Sequence, residues 1–179
     1  MNSACKEVLH RALAVVRPQF RLDLHHGVHG IAHWSRVWRH GRELARSLDV
    51  DPRILAWFAF LHDSQRVDEG TDPGHGERAA DFAVRLRQDG ILTGLSAVAF
   101  EQLCEAMRLH SDGHTEGEPA ILACWDADRL DLGRVGIRPR PDRLCTALGR
   151  STRTIVYATT LTDLAAARRR PRRRSGFTE

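Results

Sequence analysis

The sequence predicts an all-α fold, a single compact domain of about six to eight helices, and three observations support this class. Apolar residues recur at three- and four-residue spacing, as in Val8, Ala12 and Val16 near the start of the chain. Helix start signals are frequent, such as Asp51 followed by Pro52. No alternating run of β-branched residues is longer than about four residues, so strand signals are missing. A chain of 179 residues suffices for one core.

Three helices are predicted in the first third of the chain. Periodicity predicts the first over residues 3–17, ended by Pro18, and the second over residues 31–48, after the loop HHGVHG. The third opens with Asp51 as N-cap and Pro52 at the first helical position, and it carries the whole run ILAWFAFLHD. Because this run is almost continuously hydrophobic, we expect the third helix to be buried on most sides.

Four further helices are predicted after the third. They begin at Pro73, at about Leu95, at Pro119 and at Thr152. Asp72 before Pro73 repeats the start signal of the third helix, and the helix that begins near Leu95 extends to His110. The last helix is predicted to end at Ala167.

The charge of the chain is unevenly distributed. Lys and Arg total 27 against 23 acidic residues, but six of the arginines lie in RRRPRRR, residues 168–174. Without those six, the remaining 21 basic residues leave the body slightly acidic. We therefore predict a helical domain over residues 1–167 and a disordered arginine-rich tail over residues 168–179. The tail is the only segment expected to contact nucleic acid, through salt-sensitive phosphate contacts, although a solvated terminus is the simpler interpretation.

Other features of the sequence predict a cytoplasmic protein that does not bind membranes. The longest apolar run, ILAWFAFL, is far shorter than the roughly 18 residues that a spanning helix needs. The N-terminal segment lacks the pattern of a secretory signal. The four cysteines form no CxxC pair, which is typical of reduced thiols. The residues leave the oligomeric state open.

A histidine and an aspartate interrupt the apolar run of the third helix, in AFLHDSQR. Burying the unpaired carboxylate of Asp63 would cost several kcal/mol, so a partner is implied, and a cation would serve. Adjacent helical residues point about 100° apart, so further ligands must come from other helices. His33 and Asp128 are candidates, Asp128 because acidic residues again interrupt a hydrophobic stretch in WDADRLD. Nitrogen and oxygen donors without thiolates suit Zn, Mn, Fe, Co or Ni.

The order of these residues, H…HD…D, resembles the HD-domain superfamily of metal-dependent phosphohydrolases over roughly residues 25–137. The resemblance implies an all-helical fold and a divalent transition metal held by His33, His62, Asp63 and Asp128. We favour Asp128 over Asp126 because ADRL is similar to the segment that carries the superfamily's last aspartate. Asp126 and Asp131 are then expected to support a ligand from behind or to lie on a helix surface.

Two further histidines resemble those of two-metal members of the superfamily. His75 opens HGERAA and His110 lies in RLHSDG, both similar to the branch that hydrolyses dinucleoside polyphosphates. His114 could replace or join His110. The resemblance therefore implies one or two metal ions. The alternatives are a one-metal site in which His75 and His110 bind substrate, and a degenerate site.

A metal site of this kind needs no separate nucleophilic side chain. A bound ion lowers the pKa of water from 15.7 to about 7, and two ions about 3.5–4 Å apart clamp both oxygens of a phosphoryl displacement. Asp63, Arg66 and Asp68 are the expected catalytic residues. Asp68 or Glu69 would orient the water or protonate a leaving group.

Arginines near the motifs are expected to neutralise the phosphate charge of a substrate. Arg66 is our first choice, and Arg78, Arg129 and His114 are further candidates for substrate binding. The sequence thus predicts a phosphohydrolase that cleaves a phosphoester or phosphoanhydride of a nucleotide or another small phosphorylated metabolite. One alternative is a diiron oxygenase of the same superfamily, and another is a binding protein that uses the arginine-rich tail.

Overall fold

The computed structural model describes residues 3–169, and within that range it contains eight α-helices and no strand. The helices are α1 Ser3–Val16, α2 Ile31–Leu48, α3 Pro52–Leu61, α4 His75–Gln88, α5 Ala97–Leu109, α6 Pro119–Arg129, α7 Ala147–Arg150 and α8 Thr152–Arg169. Two short 3-10 helices, Leu132–Val135 and Pro141–Arg143, lie between α6 and α7. The predicted all-α class and the predicted number of helices are therefore confirmed.

Helix α3 lies at the centre of the fold. Residues 54–61 of this helix are all buried, because α1, α2, α5 and α6 pack around it. Helix α2 also packs on α6, and α4 packs on α5. The continuous hydrophobicity of α3 is thus the signature of a helix covered on every side.

The two predicted start signals have different outcomes. The Asp51 carboxylate accepts a hydrogen bond from the backbone N–H of Arg53 at 2.9 Å, and Pro52 opens α3, as predicted. The second signal is wrong by two residues, because α4 begins at His75 rather than at Pro73. Asp72 does not cap this helix. Its carboxylate accepts a hydrogen bond from the Val67 N–H and pairs with the guanidinium of Arg78, one turn into α4.

Helix α3 ends at Leu61, so the prediction that it carries the whole run through Asp63 is wrong. Beyond the helix the chain turns more tightly, with the Ser64 N–H bonded to the carbonyl of Leu61 and the Arg66 N–H to the carbonyl of Asp63. These bonds span three residues instead of four. His62 and Asp63 lie in this turn directly after the helix, and both side chains are buried.

The C-terminal part of the chain is helical as far as Arg169, two residues into the predicted tail. The rest of that tail, residues 170–179, lies outside the described residues. None of the helices in the described part is long and apolar enough to cross a membrane. All four cysteines are free thiols.

Helix α2 buries one histidine away from the predicted ligands, and this predicts a pH-dependent stability. Burial lowers the pKa of His40 to about 4. Asp131 opposes this shift, whereas the positive charges of Arg36, Arg39 and His33 add to it. The unfolded chain takes up a proton near pH 6.5 while the folded chain resists it, so acidification favours unfolding. We expect the His40 contribution to cost about 3 kcal/mol of unfolding free energy between pH 6.5 and 4.

Urea denaturation in EDTA at several pH values, compared between wild type and His40→Leu, would measure this contribution. The variant should show a shallower loss of stability below pH 6.5. Parallel curves for the two proteins would contradict the assignment.

Candidate metal centre

The structure brings the six predicted ligands together in the interior, from five different parts of the fold. They are His33 of α2, His62 and Asp63 after α3, His75 at the start of α4, His110 directly after α5, and Asp128 of α6. All six residues are buried.

The first group of donor atoms surrounds one oxygen of Asp63. Its Oδ2 atom lies 3.4 Å from Nε2 of His33 and 3.3 Å from Nε2 of His62. The Oδ1 atom of Asp128 lies 3.5 Å from Nε2 of His33 and 3.7 Å from Nε2 of His62. These atoms are close enough for His33, His62 and Asp128 to hold one cation together.

The second group surrounds the other oxygen of the same carboxylate. Asp63 Oδ1 lies 3.4 Å from Nε2 of His75 and 3.7 Å from Nε2 of His110. The two imidazole nitrogens are 2.8 Å apart. Asp63 therefore contacts both groups, one with each oxygen.

All four imidazoles are oriented from behind through their Nδ1 atoms. The partners of Nδ1 are the carboxylate of Asp131 and the carbonyl oxygens of Phe58, Asp72 and Met107. With the Nδ1 atom as donor, each neutral ring directs an Nε2 lone pair toward Asp63. Metal-binding histidines typically have such outer partners.

The donor set fits a divalent transition metal. If Nδ1 donates in both rings, the Nε2 atoms of His75 and His110 are two acceptors 2.8 Å apart, and Nη1 of Arg66 can donate to the first of them alone. The Oδ1 atom of Asp128 is buried without a hydrogen-bond donor. Buried acceptors that outnumber the donors near them form an environment in which a cation is favourable.

Protons and a metal ion compete for this cluster. Burial alone would lower the pKa of His62, but the Asp63 and Asp128 carboxylates outweigh it and raise that pKa to about 10. Burial would raise the pKa of Asp63, yet the surrounding imidazoles hold it well below its usual range. The Asp128 pKa is lowered in the same way, by Arg134 and by His62. The cluster thus contains two ionised carboxylates, those of Asp63 and Asp128, which attract positive charge.

A glycine allows the second histidine pair to form. Gly76 follows His75 at the start of α4, and a Cβ atom there would overlap the carbonyl oxygens of Met107 and Arg108 in α5. The missing side chain lets the two helices approach closely, so that His75 reaches His110. This glycine is part of HGERAA, but its packing role depends on a contact that the sequence does not show.

Asp131 is the residue behind the first group, one of the two roles that the sequence left open for it. It is fully buried, lies 2.7 Å from Nδ1 of His33, and pairs with Arg36. We expect Asp131→Asn to weaken metal affinity by about 10–100-fold, because the ring loses the charge that fixes its orientation.

Competition with a chelator would measure this effect, and Asp142→Asn provides the control, because Asp142 is an exposed partner of Arg140. Equal affinity of Asp131→Asn and wild type would contradict a supporting role.

Arginines stand at both ends of the cluster. The Nη1 atom of Arg66 lies 3.5 Å from Asp63 Oδ1 and 3.1 Å from His75 Nε2. At the other end, Nη1 of Arg134 lies 3.5 Å from Asp128 Oδ1. Arg66 was predicted from its spacing. Sequence reasoning missed Arg134, which lies in the 3-10 helix after α6, and only its position six residues beyond Asp128 could have suggested it.

Two of the predicted arginines are engaged elsewhere. The guanidinium of Arg78 pairs with Asp72 and donates to the carbonyl of Gln65. Arg129 donates to the carbonyl of Arg143 and lies over the Trp125 ring. Both side chains therefore connect loops to helices. Neither has a hydrogen bond or ion pair with the six residues of the cluster in the described part of the chain.

Asp68 and His114 are also outside the cluster. The Asp68 carboxylate is exposed and accepts the Gly70 N–H, while the carbonyl of Asp68 accepts a bond from Arg66. His114 is an exposed loop residue whose ring lies 6.0 Å from that of Trp125. Their positions in sequence are close to the ligands, but the turns that carry them point the side chains outward.

Asp126 contacts a loop rather than the cluster. Its carboxylate accepts hydrogen bonds from the backbone N–H groups of Cys145 and Thr146 and from the Thr146 hydroxyl. Asp128, two residues later, faces the histidines. Of the two aspartates, Asp128 thus lies in the cluster, and it stays the predicted ligand.

A histidine and a glutamate pair beside the first group. Nδ1 of His29 lies 2.6 Å from Oε2 of Glu69, and the His29 ring centroid is 6.2 Å from that of His33. Glu69 is partly exposed whereas His29 is buried. The pair therefore joins a buried imidazole next to His33 to a carboxylate that solvent reaches.

Comparison with known proteins agrees with this arrangement. The model of the HD domain family matches residues 30–134, a range that includes all six residues of the cluster. Among solved structures, the chain resembles a predicted HD superfamily hydrolase from an uncultured Thermotogales bacterium, with 26% identity and a TM-score of 0.63 over 91% of this chain and 89% of that one. No curated protein matches the chain significantly. The family match covers more than half of the chain and contains the whole cluster, and the protein therefore belongs to the HD-domain family.

Proposed function

We propose that this protein is a metal-dependent phosphohydrolase that cleaves a phosphoester or phosphoanhydride of a nucleotide or another small phosphorylated metabolite. The observation that carries the proposal is the Asp63 carboxylate, each of whose oxygens faces a pair of imidazole nitrogens. Such a carboxylate suits one ion in each group. His33, His62 and Asp128 would hold the first ion with Asp63. His75 and His110 would hold the second ion.

A bound ion of this class supplies a water nucleophile at neutral pH. The chain's own residues would bind and orient the substrate. Arg66 and Arg134 flank the cluster. Nε of Arg134 is buried without a hydrogen-bond partner, and its Nη1 has only the 3.5 Å ion pair with Asp128. Unsatisfied guanidinium donors bind phosphate oxygens strongly, and this favours a phosphorylated substrate. His29 and Glu69 would carry a proton to the leaving group.

Metal content and phosphate release together test the proposal. Wild-type protein purified without a histidine tag would be analysed by mass spectrometry, beside His75→Ala and the exposed control His10→Ala. We expect about two transition-metal ions per chain, falling to about one in His75→Ala and unchanged in the control. One ion in all three would remove His75 from the ligand set and favour a one-metal phosphohydrolase.

Phosphate release would then be measured with Mn²⁺ or Co²⁺ on nucleoside mono- and triphosphates and on dinucleoside polyphosphates. Activity on any of these supports the proposal. Oxygen consumption with iron, without phosphate release, would replace it by the diiron oxygenase. Absence of metal even after reconstitution would favour a binding protein.

The proposed role of Arg134 gives a specific prediction. Arg134→Met keeps much of the side-chain volume but removes the unpartnered Nε donor and the Nη1 atom that pairs with Asp128. We expect kcat/KM for a phosphorylated substrate to fall by about 10–100-fold, because each charge-assisted contact contributes about 1.5–3 kcal/mol. Steady-state kinetics would measure this, with Arg85→Met on the exposed face of α4 as the control. Unchanged kcat/KM would exclude Arg134 from substrate binding.

A further inference from the structure

A large cavity lies away from the metal centre. It has a volume of about 670 Å³ and opens between α2 and the first half of α8. None of the six cluster residues lines it. Helix α8 packs on the segment Leu132–Val135 and on α7 rather than closely on α2, which leaves this space open. Its volume lies within the range of about 300–1,000 Å³ that is usual for small-molecule sites.

A buried histidine lies in the wall of the cavity. His40 is only 4% exposed, and its Nε2 atom is covered by protein atoms and makes no hydrogen bond. The Tyr157 ring stands across from it in an edge-on arrangement, with ring centroids 6.1 Å apart. Because Nε2 has almost no accessible surface, His40 contributes to the wall of the cavity but offers no polar contact to a ligand.

The charge of the cavity walls is positive. Arg39 on α2 and Arg153 on α8 have no carboxylate partner among residues 3–169, and the only bond found for Arg39 is a donation to the Tyr157 hydroxyl at 3.3 Å. Glu43 is the one acidic residue in the lining of this cavity. It is already paired with Arg42 and Arg46 of α2. Two arginines on opposite walls therefore remain available to an anion.

The remaining walls are apolar. Trp38, Leu130 and Leu148 line the cavity together with the Tyr157 ring. Such walls suit a flat or apolar body rather than a free inorganic ion.

We propose that this cavity is a second binding site, for a small organic anion whose charged group lies between Arg39 and Arg153 and whose apolar body contacts Trp38. The site does not depend on the proposed phosphohydrolase activity, because it shares no residue with the metal centre. A phosphate, a sulfonate or a carboxylate offers the same chemistry to the two arginines.

The probe for this site is 8-anilinonaphthalene-1-sulfonate, which joins a sulfonate to a fused aromatic body. Its fluorescence would be titrated against the full-length, folded chain, and N-phenyl-1-naphthylamine would provide the same body without the charge. We expect one saturable site per chain for the sulfonate and at least about tenfold weaker binding of the uncharged analogue.

Variants would locate the probe. Arg39→Glu with Arg153→Glu should weaken sulfonate binding by about tenfold or more, since repulsion replaces attraction at both walls. Both residues are exposed, so folding should be preserved, and circular dichroism would check it. Arg85→Glu on α4 makes a matched charge change outside the cavity and should leave binding within about twofold of wild type.

A steric variant keeps the test independent of charge. Ser35 is an exposed cavity residue on α2, and Ser35→Trp should block the probe without altering any arginine. The proposal is overturned if the sulfonate does not saturate, if the uncharged analogue binds equally well, or if neither the arginine variant nor Ser35→Trp weakens binding.

Discussion

Replacing Asp63 by asparagine is expected to lower phosphate release by roughly 10³-fold or more, because water loses the activation that brings its pKa to about 7. The physical reason is that one carboxylate serves both donor groups. Its two oxygens lie 3.3–3.7 Å from the nearest imidazole nitrogens, and an amide offers only one neutral acceptor in their place. An amide NH₂ facing two histidines would also repel a cation.

Metal analysis and kinetics on Asp63→Asn would be compared with Asp81→Asn, the same substitution at an exposed position of α4. We expect metal to be lost from Asp63→Asn and retained in the control. His33→Ala, which removes a donor from one group alone, should retain part of the metal. Full metal content in Asp63→Asn would refute the view that this carboxylate joins the two groups.

Asp126→Asn is expected to lower the free energy of unfolding by about 3 kcal/mol while leaving metal affinity unchanged. The Asp126 carboxylate is fully buried and accepts three hydrogen bonds, two of them from backbone N–H groups of residues 145 and 146. An asparagine replaces one acceptor by a donor, so at least one buried N–H would face another N–H.

Asp128→Asn is the matched comparison, because it makes the same change two residues later on the same helix. Urea denaturation in EDTA measures stability, and chelator competition measures metal affinity. We expect Asp126→Asn to change the first and Asp128→Asn to change the second. A metal defect in Asp126→Asn, with normal stability, would mean that the ligand had been assigned to the wrong aspartate.

Helix boundaries were predictable where the determinants were local. The start of α3 at Pro52 and that of α6 at Pro119 follow from a fixed proline φ at the first helical turn. Asp72 shows the limit, since its carboxylate pairs with Arg78 and does not cap the helix that it precedes. Whether an aspartate caps a helix or forms an ion pair is decided by which donors the fold brings near it.

Some candidate ligands were predictable because His62 and Asp63 interrupt an apolar run, where a polar side chain is costly, whereas His75 and His110 were predicted only from the resemblance to two-metal HD proteins. Their functional neighbours were harder to find. Arg134 lies in a 3-10 helix without any motif, and Gly76 matters only because α5 crosses close to it. Conversely, Arg129 is next to Asp128 in sequence but holds the loop at Arg143.

The sequence by itself determined the all-helical class, the order of the main helices and the six residues that form the cluster. The helices depend on local periodicity and capping, and the six residues depend on the cost of a buried polar group and on the resemblance to HD proteins. Only the tertiary structure decided that Asp63 faces two pairs of histidines, that Asp126 serves a loop, and that a charged cavity opens beside α8. These features depend on directions and distances between helices that are far apart in the chain, and no local pattern encodes them.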